Sequence, residues 1–377
     1  MQKQGLYRYK NLPLLKTAMN KEKLQEFQEL LKNENIDAAL LINTTIKDPN
    51  VLYWTGLELE YSFLLIQKNK DPLFLVSALE YQRAKKYSKI QQVKEYKKPF
   101  EEIAKIIGKN KTIAINRSAV TLALFKGIKK YLKECIYKDV EPLMRKVRII
   151  KTKEEINALE EAARIADKIF LDLCQALKTN RATFKTEKDI ALFIEQQARK
   201  YNTTPSFETI VASGKNAAMP HYVPQDILIE KGFCVLDFGV RYNNYISDIS
   251  RTIFFGTPTK EEKEAYQKVK TANEAGIAAA RIGKKCAGID KISRKKFNYP
   301  HSLGHGIGVE VHEAPNVSPK SKDIVKENMC FTIEPGMYVP NKFGVRIEDD
   351  LWMRKNGSVL LTKSTKELLC FGESSQE

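Results

Sequence analysis

Histidine is scarce in this chain of 377 residues, which has only four. A site built on imidazole must therefore draw on His221, His301, His305 and His312. The six cysteines are scattered at 135, 174, 234, 286, 330 and 370, with no C-x-x-C pair. That spacing argues against a thiolate zinc site and suits reduced thiols in a cytoplasmic protein. Long apolar runs are missing too. Stretches such as 38–42 and 63–66 fall far short of the ~20 residues that span a bilayer. Met1-Gln2-Lys3-Gln4-Gly5 has no apolar segment of the secretory kind. No G-x-G-x-x-G or Walker-type loop occurs, so nothing supports nucleotide binding.

Positive charge is plentiful: 63 Lys+Arg against 46 Asp+Glu give a net charge of +17. It is spread along the chain, and runs such as Lys284-Lys285 and Arg294-Lys295-Lys296 are short. This reads as a solvated basic surface, with neither nucleic acid nor membrane expected as a partner. The hydrophobic fraction of 43% is that of a globular protein, and the length suits two domains better than one core.

Residues 1–145 alternate helical and strand patterns, an α/β arrangement. Residues 21–33 have helical spacing through Leu24, Phe27, Leu30 and Leu31. Residues 38–42, 51–56 and 61–67 read as strands, 100–107 as a helix, 112–115 as a strand and 119–132 as a helix. A boundary is expected within 141–151, where Pro142 breaks the pattern and a basic run follows. Thr152-x-x-Glu155, Thr186-x-x-Asp189 and Thr259-x-x-Glu262 are capping-box signals, each opening a helix, the last ended by Gly283. With strands between these helices, residues 146–377 read as α+β. The residues after Phe371 are expected to fray.

Three histidines fall in His301-Ser302-Leu303-Gly304-His305-Gly306-Ile307-Gly308-Val309-Glu310-Val311-His312. Residues 309–312 alternate like a half-buried strand, so the stretch reads as a glycine-lined turn feeding a strand. Upstream, Asn243-Asn244 suits a two-residue hairpin turn. Tyr242 then faces Tyr245, Asp248 faces Gly239, and Asp237 and Asp248 lie diagonally on one face. Two bare carboxylates so placed repel, and a hard cation resolves the conflict. Alternation also puts Glu334 on a polar side and aligns Arg346 with Glu348. Four carboxylates with one imidazole suit Mn²⁺, Co²⁺ or Fe²⁺, and carry about the charge of two divalent ions. Cys330 shares the face of Glu334 in an extended strand, as packing beside the site. Asp349 and Asp350 read as loop or strand-edge acids.

The ordered set Asp237, Asp248, His305, Glu334 and Glu348, with His221, His301 and His312, resembles the dinuclear metallopeptidases of the pita-bread fold. These include methionine aminopeptidase, aminopeptidase P and prolidase, with creatinase as a non-metal relative. The stretch from His301 to Glu313 is similar to the proline-peptidase signature, with Leu303 where threonine is common. Glu334-Pro335-Gly336, Arg148-x-x-Lys151-x-x-x-Glu155-Ile156 and Tyr53-x-Thr55-Gly56 extend the likeness over nearly the whole chain. The resemblance implies a creatinase-like N-terminal domain over 1–145 and a pita-bread catalytic domain over 146–377. It also implies a homodimer and peptide substrates with proline in second position.

By the same resemblance, Asp237, Asp248, His305, Glu334 and Glu348 are ligands to two Mn or Co ions, and Asp248 and Glu348 bridge them. A metal-bridging water is the nucleophile and Glu334 shuttles its proton. His312 stabilises the oxyanion, His221 and His301 line the proline pocket, and Arg346 pairs with a liganding carboxylate. Lys342 is a candidate for holding a dipeptide's carboxylate. Methionine aminopeptidase usually lacks so large an N-terminal domain. Creatinase, and a catalytically silent peptide-binding protein on this fold, would lack the intact ligands.

Overall fold

The computed structural model describes residues 19–372, so the readings of residues 1–5 and of the chain end at 373–377 lie outside it. The chain forms two compact units that divide between Val147 and Arg148. No helix among the described residues is long and apolar enough to cross a membrane.

The first unit is a six-stranded mixed sheet with helices. Its order in space is Gln92–Glu95, Leu73–Val76, Ser62–Gln67, Ala38–Asn43, Thr112–Ile115, Ile136–Asp139. Ala38–Asn43 is buried at every position, which explains its unbroken apolar sequence. Leu40, Ile42, Phe63, Leu65, Ile113 and Ile128 pack together around it. The stretch 51–56 is not a strand. It lies in the helix Pro49–Thr55, with Asp48 accepting the Asn50 N–H, Pro49 in the first turn and Gly56 at φ 74° just past the end. The Thr55 hydroxyl bonds Val51 O at 2.7 Å and accepts the Leu57 N–H at 3.1 Å, so Thr55-Gly56 forms the helix stop. The helix expected over 119–132 starts later, at Leu122, because Thr121 caps it.

Asp48 is buried, and one of its oxygens has no hydrogen-bond partner. Burial pushes its carboxyl up to about 6. A carboxyl raised on folding contributes stability that is present below its unfolded value and lost as pH rises through about 6. Asp48→Asn keeps an oxygen for Asn50 and Asn116 while removing the charge. It should stabilise the protein at pH 8 by about 3 kcal/mol and do little at pH 4. Urea unfolding midpoints at the two pH values check this, and an unchanged midpoint at pH 8 would contradict it.

Pro142 does not interrupt structure; it sits in the first turn of the helix Glu141–Ile149, where its missing N–H costs nothing. In the second unit, Thr152, Thr186 and Thr259 each complete a two-way capping box. They open Lys153–Thr179, Glu187–Lys200 and Lys260–Ala279. The last helix stops at Ala279, four residues short of Gly283, which lies in the following loop at φ 82°. Two sheets carry the unit. One runs Cys370–Phe371, Ile249–Phe255, Gly232–Phe238, Ile210–Ser213. The other runs Glu313–Val317, Gly304–Gly306, Cys330–Ile333, Asp349–Arg354, Gly357–Leu360. Ile169, Phe170 and Leu173 of the long helix pack with Leu236 and Ile253 of the first sheet. Leu303, Phe331 and Leu351 anchor a second core with Ile289.

Candidate active site

The hairpin supplies the first two carboxylates. Asn243 and Asn244 adopt φ of 47° and 72°, Tyr242 pairs with Tyr245, and the register continues to Ser250 opposite Asp237. The ladder bends at Gly239, where a Cβ would lie 1.8 Å from Ser247 O. Asp237 and Asp248 thus flank one end of the paired strands.

The glycine-rich stretch folds differently from expectation. Residues 309–312 form a bent connection, and the strand is Gly304–Gly306, pressed between two neighbours. A Cβ on Gly304 would sit 1.9 Å from Thr332 O, and one on Gly306 2.1 Å from Ala314 O. Only glycine lets backbone approach so closely, and His305 projects from between them. The connection bearing His312 is fastened at several points. Ile246 N donates to Gly308 O (3.0 Å) and Arg241 to Val309 O (2.9 Å). Arg148 pairs with Glu310 and Glu313 at 2.5 Å each, and Lys151 with Glu313 at 2.7 Å. Glu155 accepts from the Tyr245 hydroxyl at 2.8 Å. The Arg148-x-x-Lys151-x-x-x-Glu155 spacing thus serves a brace on the hairpin and the histidine loop.

Nine residues named in the sequence, His221, Asp237, Asp248, His301, His305, His312, Glu334, Arg346 and Glu348, line one cavity of about 800 Å³. Donor atoms of Asp248, His305 and Glu348 lie within 4.8 Å of one another. His305 Nε2 is 3.7 Å from Asp248 and 3.4 Å from Glu334. Arg346 donates to Asp237 at 2.5 Å and to Ser250 Oγ at 2.9 Å, while Ser250 Oγ donates to Glu348 at 2.8 Å. The His305 and His312 rings meet edge to face at 4.3 Å between centroids.

Burial dominates the electrostatics. It raises Asp248 and Glu334 well above the usual carboxylate range, and the charge of Glu348 adds to both. Glu348 is pushed up to about 8 by burial and by Asp237. Burial also takes His301 and His305 down to about 4 and lowers His312, so all three are neutral imidazoles at pH 7. Burial pulls Glu313 upward, but Lys151 and Arg148 outweigh it and hold this carboxyl below its ordinary value.

A divalent cation fits these residues. Asp237 Oδ1, Asp248 Oδ1 and Glu348 Oε1 are buried without a hydrogen-bond partner. Each such oxygen is costly unless a proton or cation meets it. Oxygen donors with one neutral imidazole match a hard or borderline ion.

Several expectations fail. Asp349 and Asp350 are not edge acids; both are buried in a strand flanked on each side. Asp349 pairs with Arg251 at 2.6 Å and Lys366 at 3.0 Å, and Asp350 accepts the Asp248 N–H at 3.0 Å. Cys330, by contrast, is buried in its strand as packing, as expected, and does not line the cavity. Lys342 is exposed in the turn between Gly336–Val339 and Phe343–Arg346, and it does not line the cavity either. Tyr338 was missed. Its hydroxyl joins His301 Nε2 (3.1 Å) to Arg346 (2.9 Å), and a Cβ on Gly336 would strike it at 2.2 Å. Nothing marks it among sixteen tyrosines in the sequence.

Residues 157–355 match Metallopeptidase family M24, and residues 23–150 match the Creatinase/Prolidase N-terminal domain. The chain belongs to metallopeptidase family M24. It is 36% identical over 359 residues to an Xaa-Pro dipeptidase of Pyrococcus furiosus, covering 93% of this chain and 100% of that one. The prolidase structure from Pyrococcus horikoshii OT3 superposes with a TM-score of 0.85 at 36% identity, covering 92% of this chain and all of that one. An X-Pro aminopeptidase structure from Thermotoga maritima gives 0.81 at 31% identity, covering 91% and 99%. The M24 chain is therefore a prolidase-type metallopeptidase, with a creatinase-type N-terminal domain followed in the sequence by a pita-bread catalytic domain.

Proposed function

We propose that this enzyme hydrolyses the Xaa-Pro bond of dipeptides with the help of two divalent ions, Mn or Co. The observation that carries the reading is the convergence of Asp237, Asp248, His305, Glu334 and Glu348 in one cavity, where Asp237, Asp248 and Glu348 each keep a buried oxygen that no described residue meets with a hydrogen bond. Those five residues would hold the ions. When bound, such ions polarise a carbonyl and lower the pKa of water, which makes a nucleophile available near neutral pH.

The chain's own groups do the remaining work. Glu334 takes a proton from the attacking water and delivers it to the prolyl nitrogen as the bond breaks. His312, kept neutral by burial, donates its ring N–H to the carbonyl oxygen as charge develops there. His221 and His301 offer flat faces to the pyrrolidine ring, and Tyr338 fixes His301. Arg346 orients Asp237. The prolyl nitrogen carries no N–H, so the site needs no acceptor for one. Residues 1–145 would form the N-terminal domain and 146–377 the catalytic one, in a cytoplasmic homodimer in which the six thiols stay reduced.

Dipeptidase activity is favoured by the full-length match to proteins named Xaa-Pro dipeptidase. Hydrolysis of Ala-Pro, Ala-Ala and Ala-Pro-Ala tests it. Ala-Pro should be cleaved far faster than Ala-Ala. Equal kcat/KM for the two would contradict proline specificity, and exclusive cleavage of Ala-Pro-Ala would make the enzyme an aminopeptidase P.

A further inference from the structure

Two of the proposed ligands, Glu334 and Glu348, follow residues whose carbonyls meet at one buried side chain. Asn273, on the helix Lys260–Ala279, is fully buried. Its amide nitrogen donates to Ile333 O at 2.9 Å and Ile347 O at 3.3 Å. The amide is oriented by Lys366, whose ammonium donates to Asn273 Oδ1 at 3.0 Å and to Asp349 at 3.0 Å. An ammonium has only donors, so the oxygen faces Lys366 and both N–H groups face the carbonyls. Asp349 in turn accepts from Arg251, which also donates to Glu348 O.

The close approach this requires is visible one turn along. Gly276, three residues on and on the same helix face, lies against the end of the strand Cys330–Ile333. A Cβ there would sit 2.9 Å from Ile333 Cγ2 and 3.4 Å from Leu303 Cδ2. Glycine costs stability inside a helix, and here it lets the helix backbone come near enough for the short Asn273 side chain to span both carbonyls.

We propose that Asn273 is a positioning residue that sets the spacing of Glu334 and Glu348 and so tunes the affinity of the site for divalent metal. The two segments pair at Ile333 with Asp349 on one side and at Gly336 with Arg346 on the other, and the two donors of Asn273 meet the carbonyls at the break between these ladders, where Glu334 and Glu348 lie. Without Asn273 the backbone at this break loses its fixed geometry, and metal binding has to restore the spacing of the two glutamates. The inference rests on the metal site proposed above.

The test is calorimetric titration of metal-stripped full-length protein with Mn²⁺ alone. Asn273→Asp keeps the shape but turns an oxygen towards the two carbonyls; Asn273→Ala removes the tie outright. Both should weaken Mn²⁺ binding by about 10–100-fold, the range found when groups supporting metal ligands are removed. Leu177→Ala, a buried change on the helix Lys153–Thr179 in a core that includes no residue of 330–349, should lower Tm yet keep wild-type affinity. If Asn273→Ala does not fold, the isosteric Asn273→Asp decides. Wild-type affinity in the Asn273 variants overturns the inference alone, as does an equal loss in Leu177→Ala. A wild-type protein that binds no Mn²⁺ overturns the metal site and this inference with it.

Discussion

Glu348→Gln should abolish peptidase activity while making the metal-free protein more stable. In the metal-free protein the Glu348 carboxyl is pushed up to about 8 by burial and by Asp237. Its contribution to stability is present in full below the unfolded value of about 4.3 and is lost as pH rises through the folded one. A glutamine imitates the protonated form at every pH. Its oxygen can still accept from Ser250, and its amide N–H groups point among carboxylates. At pH 8 the gain should be on the order of a few kcal/mol, and near pH 4 it should vanish. The same change removes one charge from the proposed ion-binding set, so kcat/KM on Ala-Pro should fall by ~10³-fold or more. Thermal melts of chelator-treated protein at the two pH values, set beside activity with added Mn²⁺, measure both halves. Retained activity, or a lower Tm at pH 8, would contradict the assignment of Glu348.

His312→Ala should lower kcat by about 10²–10³-fold without changing metal content. His312 lines the wall of the cavity and stands against His305, yet it lies on the connection fastened by Arg148, Lys151 and Arg241. That brace holds the backbone whatever the side chain at 312, so the loss should come from the missing donor and not from a collapsed loop. KM should move little, because the interaction strengthens only as the carbonyl oxygen gains charge. An unchanged kcat would make His312 a packing residue. A rise in KM alone would make it a residue that binds the substrate's ground state.

Elements defined by local chemistry were legible from the sequence. The Asn243-Asn244 turn accepts positive φ, and from it the register of Asp237 against Ser250 follows by counting. The three threonine capping boxes work through bonds within four residues, so they too could be read locally. The helix Pro49–Thr55 had its signals in Asp48, Pro49 and Gly56, but its apolar run imitates a buried strand because every residue from Asn50 to Thr55 is buried. Residues 309–312 alternate as a strand would, yet they bend, since long-range bonds to Ile246, Arg241 and Arg148 replace a ladder.

Most of what supports the cavity could not be read. Tyr338, Ser250 and Asn273 act on residues that are remote in sequence or reached through backbone carbonyls, and no spacing rule announces them. Asp349 and Asp350 looked like surface acids because adjacent aspartates usually are. Their burial depends on Arg251 and Lys366, and on the backbone of Asp248, all distant in sequence.

Peptidase activity that depends on two divalent ions, with Asp237, Asp248, His305, Glu334 and Glu348 as the proposed ligands, underlies the mechanism proposed here. Its most direct test is to strip the protein of metal and titrate it with Mn²⁺, following bound ions per chain and Ala-Pro hydrolysis in the same samples. The stripped protein should show no hydrolysis, and activity should rise with bound Mn²⁺ until two ions are held per chain. Full hydrolysis by protein verified to be free of metal, or saturation with a single ion, would contradict it.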